Sequence, residues 1–145
     1  MKKLLVMAMF LVLAVALAAC SDKNEPAKGD SPEGDTQAQV AVIEKFIDIT
    51  YFDEGTYEDF KALYADPENV NTKEEFDEFR KNNDPKQTFP IDSDKPEDIK
   101  KHLVVKEIDE NNAEVYWVKD LKDEKKEEAT SVWAVTKVDG EWKVN

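Results

Sequence analysis

The sequence predicts an α+β domain in which helices come first and an antiparallel sheet follows. Three observations carry this. Apolar residues recur at helical spacing across positions 37–82, and from Leu103 onward they recur at every second position. Thr36 with Gln39 and Thr72 with Glu75 have the spacing of capping boxes, and Thr56 stands as a cap ahead of Tyr57. Near the end, Asp139-Gly140 between two apolar runs is the signature of a two-residue hairpin.

Ahead of the domain stands a leader. Met1-Lys2-Lys3 is a short basic start, and residues 4–17 are continuously apolar. Fourteen residues at about 1.5 Å each reach about 21 Å, short of the ~30 Å hydrocarbon layer. That length fits a cleavable export signal rather than a spanning helix. The run closes on Leu17-Ala18-Ala19-Cys20. This tetrapeptide resembles the bacterial lipobox. The resemblance implies cleavage between Ala19 and Cys20, a diacylglycerol on the Cys20 sulfur and an acyl group on its new amine. Two or more acyl chains anchor stably where one does not. Cys20 is the only cysteine, so an intrachain disulfide and a cysteine-based metal cluster are both excluded. Residues 21–35 contain no large apolar side chain and are rich in Pro, Gly and charge, which predicts a flexible tether about 20 Å long. The expected organisation is a signal peptide over 1–19, the lipidated Cys20 and tether over 20–35, and the domain over 36–145. The expected location is the outer side of the bacterial cell membrane.

In the domain, Val40, Ile43, Ile47 and Thr50 share one helical face that Phe46, Ile49 and Tyr51 widen, predicting a first helix over 37–52 ended by Gly55. Tyr57, Phe60, Leu63 and Tyr64 share the face of a second, shorter helix that Asp66-Pro67 closes. Phe76 and Phe79 lie on a third, ending near Asn82-Asn83. Residues 86–92 read as extended, and Pro96 opens a brief helical turn. Strands follow over 103–108, 113–121, 129–138 and 141–144, rich in Val, Trp, Tyr and Thr. Both faces of the strands are apolar: Val115 and Trp117 oppose Tyr116 and Val118. A sheet covered on one side alternates more cleanly. The second face therefore calls for a cover, whether the curling sheet, the chain near Phe89 or another subunit.

The stripe 40–52, the 57–64 helix and the ending Val132-Trp133-Ala134-Val135, Val138-Asp139-Gly140-Glu141-Trp142-Lys143-Val144 together resemble the nuclear-transport-factor-2-like superfold, a cystatin-like cone. The resemblance covers 37–145 and implies helices packed on a curved antiparallel sheet of about four strands around a conical pocket. It departs from the family at 86–99, where an early strand is usual. Some members use the pocket for isomerase, dehydratase or small-ligand functions, with Asp, His or Tyr inside the cone.

The residues themselves offer little catalytic machinery. His102 is the single histidine, so neither a paired-histidine metal site nor a second base is available. Asp109, Asn111 and Asp120 miss the calcium-loop pattern because Glu114 stands where glycine is required. The four glycines are too dispersed for a phosphate loop. No metal or cofactor is expected. The formal charge of −13, which loses two further positive charges when Lys2 and Lys3 leave with the leader, excludes nucleic acid as a partner. Tyr51 and Tyr116 are the candidate pocket residues. Trp117 and Trp133, with Trp142, are candidates for a core or for an interaction patch. The expected role is a non-catalytic binding or interaction module at the cell envelope, with a homodimer or an envelope protein as partner. A cone enzyme, a small-ligand binder and an immunity or inhibitor-type lipoprotein are the alternatives.

Overall fold

The computed structural model describes residues 33–122 and 129–145; the leader, Cys20 and residues 20–32 of the expected tether lie outside them. Among the described residues five helices precede a four-stranded antiparallel meander: α1 Glu33–Tyr51, α2 Tyr57–Ala62, α3 Lys73–Asn82, α4 Pro85–Thr88, α5 Pro96–Lys100, then β1 Leu103–Asp109, β2 Asn112–Val118, β3 Ala129–Val138 and β4 Glu141–Val144. The sheet is open, in the order β1-β2-β3-β4. The α+β class is therefore as expected.

α1 already includes Glu33, so Thr36 is a helical residue and not a cap. The physical reason is Asp35. Its carboxylate suits the positive end of a helix, and it is held there by Lys137 Nζ at 3.0 Å and Trp142 Nε1 at 3.3 Å. These bonds fasten the first turn to β3 and β4. The helix ends at Tyr51, earlier than Gly55, because Asp53 already takes the left-handed conformation at φ 57°. Gly55 follows at φ 133° and turns the chain into α2.

Both expected caps ahead of the short helices are formed. Thr56 accepts from the Asp59 amide while Asp59 accepts from the Thr56 amide, and Thr72 and Glu75 do the same. Residues 86–92 are not extended. Asp84 caps Lys86 N, Pro85 fills the first turn where an N–H is not needed, and α4 results. Residues 63–65 run beside β4, where Val144 N donates to Leu63 O and Ala65 N to Val144 O, both at 2.8 Å. That parallel bridge closes one edge of the sheet.

In the sheet, Asp139 at φ 51° and Gly140 at φ 85° form the positive-φ pair that a tight β3–β4 hairpin demands. Val104, Tyr116 and Val132 stand in one cross-strand row, and Ala113, Val135 and Val144 in another. The second row belongs to the inner face. There Ala113, Val115, Trp117, Val135, Trp142 and Val144 meet Val42, Ile43, Phe46, Ile47 and Ile49 of α1, with Phe60, Leu63, Phe76, Phe89 and Ile99 closing the flanks. α1 enters beside Lys137 and Trp142 and leaves beside α5, where Lys100 pairs with Asp48 at 2.6 Å. The other face is uneven: Tyr116 and Val118 are buried, whereas Val132 is 44% and Val138 36% exposed. Phe89 packs on the inner face, against Trp117 and Trp133, so the chain near it does not cover the second face.

Candidate functional site

Three of the four singled-out aromatics converge on one residue. Phe89, fully buried just past α4, has its ring centroid 4.9 Å from Tyr51, 5.5 Å from Trp117 and 6.4 Å from Trp133. Trp133 in turn meets Phe46 edge-on at 6.1 Å. Tilted and edge-on contacts at these distances are the favoured aromatic geometry. The Asp84 cap and Pro85 start α4 and so deliver Phe89 to this point. Trp117 is fully buried, and its indole Nε1 donates to the Ile99 carbonyl at 2.9 Å. Its hydrogen bond tells against a ligand-facing role, because the polar atom is already satisfied inside the fold. Trp142 lies on the same inner face with its Nε1 on Asp35. Trp117 and Trp142 are thus core residues, and Trp133 is half-buried against the same core. Tyr116 is not part of this cluster. It stands on the opposite face of β2, buried between Val104 and Val132.

His102 is half-buried, stacked on Trp117 with centroids 5.1 Å apart. Its Nδ1 lies 2.8 Å from the Val118 carbonyl. A carbonyl oxygen only accepts, so Nδ1 carries a proton and orients the ring. The imidazole serves as a fastener between the start of β1 and the end of β2.

Two surface clefts lie among the described residues of the helical layer. One of about 360 Å³ is lined by Asp53, Asp77, Arg80 and Lys81. Arg80 is held in its lining by three contacts. Its guanidinium lies over the Phe76 ring, with Nε 2.6 Å from Asp53 and an Nη donating to Gly55 O at 3.2 Å. The second, about 390 Å³, runs along α3 and includes Asn71, Glu75, Phe79 and Asn83. The Thr72 amide and hydroxyl bonded to Glu75 hold its carboxyl below the usual carboxylate range. Neither cleft contains Tyr51, Tyr116, Trp117 or Trp133. Among the described residues no three His, Cys, Asp or Glu side chains are placed to hold a metal ion.

Sequence reading missed Asp35, which it assigned to the tether, and the fully buried Gln39, which it read as half of a capping box. The signal for Gln39 was its place between Asp35 and Ile43 at four-residue spacing, in the middle of the inward stripe. Comparison of the chain with family models, with curated proteins and with solved structures gives no match. Among the described residues no helix is long and apolar enough to cross a membrane.

Proposed function

We propose that the chain is a cell-envelope lipoprotein, anchored through Cys20, whose domain is a non-catalytic interaction module of the nuclear-transport-factor-2-like kind. The observation that supports an interaction role is the second face of the sheet. Val132 and Val138 stand exposed on it, and Ile108, the extra residue at the irregularity near the end of β1, is 60% exposed. Solvent-facing β-branched side chains on one sheet face are what a partner surface offers. The inner aromatic cluster supports the non-catalytic half of the reading, since its polar atoms are taken up by the fold: Trp117 by Ile99, Trp142 by Asp35 and His102 by Val118.

The anchoring half rests on Leu17-Ala18-Ala19-Cys20 and is tested with a labelled fatty acid fed to bacteria making the full chain. The expected result is label in the wild type and none in Cys20→Ala. Label retained by that variant refutes the assignment. The interaction half is tested in the same cells with a photo-crosslinking residue at 132, at 138 or at the control position 41 on the exposed side of α1. Adducts at 132 and 138 and not at 41 are expected. Equal yields at all three positions remove the sheet face as the contact surface.

A further inference from the structure

We propose that an ordered water is held between α1 and the β1–β2 hairpin by Gln39 and Glu107. Gln39 is fully buried. Among the described residues neither its Nε2 nor its Oε1 has a hydrogen-bond partner. Native structures settle buried amides with protein or water partners, because an unpaired one is strongly disfavoured. Among the described residues the other buried polar side chain, Thr50, shows the usual solution, with Oγ1 donating to the Phe46 carbonyl. Gln39 has no such outlet.

A second group has the same deficit. Glu107 Oε1 is buried and, among the described residues, without a partner. Leu103 and Val105 pack on the core, and strand alternation puts Glu107 on that same face. Its register carries it to Ala113, then to Val135 and Val144. Asp35 fixes α1 over the neighbouring pair, Lys137 and Trp142. Gln39 is one turn further, about 6 Å along the helix axis. Two residues of strand advance by about 6.8 Å, so Gln39 arrives over the row of Val135. Glu107 is two strands away in that row, about 9.6 Å at ~4.8 Å per strand. Between them is Ala113, buried and ending in a single methyl. Across an alanine, two long polar side chains in this register can share one water.

The chemistry of the pair fits water. The carboxamide offers a donor and an acceptor, and the carboxylate oxygen only accepts. A water accepts from Gln39 Nε2 and donates to Glu107 Oε1, with its second hydrogen available to Gln39 Oε1. Polar lining of this kind is what distinguishes a hydrated interior site from a dry cavity.

The test uses the full chain labelled with ¹⁵N at glutamine, observed through water-to-amide cross-relaxation. A long-lived water is expected at the Gln39 side-chain protons, weakened when Glu107 is replaced in Glu107→Ala. Gln39→Leu is expected to lower the unfolding midpoint by about 5 °C, because it strands the water and the carboxylate. No water contact at the wild-type Gln39 amide overturns the proposal without need of any variant. A contact unchanged in Glu107→Ala overturns the pairing, and a higher midpoint in Gln39→Leu shows an amide that nothing satisfied.

Discussion

Replacing Gly55 by alanine tests how tightly the α1–α2 corner is bound to the core. Gly55 has φ 133°, and a Cβ built there falls 2.9 Å from Ile49 Cγ1 and 3.5 Å from Ile49 Cδ1. Two costs follow. Holding a side-chain-bearing residue in that backbone region costs about 1–3 kcal/mol. Ile49 is only 1% exposed, so it yields space only by displacing its neighbours, an overpacking cost of about 1–3 kcal/mol. The lower entropy of the unfolded alanine chain returns about 0.4–1 kcal/mol. The expected net loss is about 3 kcal/mol, a drop in midpoint on the order of 12 °C for a domain of this size. The other described glycines separate the two costs. Gly140 has φ 85° with open space around its Cβ position, so Gly140→Ala carries backbone strain alone, about 1–3 kcal/mol. Gly34 is in the first turn of α1 with nothing near it, so Gly34→Ala stabilises by about 0.5–1 kcal/mol. Urea unfolding followed by tryptophan fluorescence measures all of them. The order Gly34→Ala above wild type, then Gly140→Ala, then Gly55→Ala is expected. A Gly55→Ala loss no larger than that of Gly140→Ala refutes the steric contribution, and a change below about 0.5 kcal/mol refutes the whole account.

Acid should destabilise the domain through the carboxylates that the fold keeps ionised. Hydrogen bonds from Lys137 and Trp142 lower the pKa of Asp35 below 3.8, and Asn111 and Asn112 do so for Asp109. A lowered folded pKa gives stability that is complete above the unfolded value and lost as the pH falls through the folded one. The midpoint is therefore expected to fall below about pH 4. Asp35→Asn should be less stable than wild type at pH 7, with the gap closing as the pH drops below 3.8; a gap independent of pH would show that the charge of Asp35 is idle. Arg80→Met removes the guanidinium that lies over Phe76 together with its bonds to Asp53 and Gly55 O. Because Asp53 is 80% exposed at its side chain, the expected cost is about 1 kcal/mol, and a loss above 3 kcal/mol in urea unfolding would contradict it.

Where each element of this fold announces itself follows from how local its determinants are. The caps at Thr56 and Thr72 and the Asp139-Gly140 turn are satisfied within three or four residues, so spacing alone locates them. Asp35 is different. Nothing in its charged, Gly-rich neighbourhood predicts helix, and its helical place depends on Lys137 and Trp142, more than a hundred residues away. α4 fails to show for the opposite reason: Asp84-Pro85 is a sound local start, but the extended look of Phe89-Pro90-Ile91 outweighs a helix of only four residues. The aromatic site follows from both. Tyr51, Trp117 and Trp133 are visible as large residues on plausible inner faces, yet their meeting point is Phe89, whose position is set by α4. Once α4 is in place, Phe89 packs against Tyr51 of α1 and against Trp117 and Trp133 of the sheet, while the Trp117 indole bonds Ile99 and stacks on His102. The same reasoning explains why the two-sided pattern of β2 was a sound signal with an incomplete outcome. Val115 and Trp117 meet the helices, and Tyr116 and Val118 are buried as their apolarity requires, but Val132 beside Tyr116 stays exposed. A face that alternates between burial and exposure within one cross-strand row is left with apolar surface to place, which is why the sheet exterior, rather than the aromatic interior, is the surface to test for a partner.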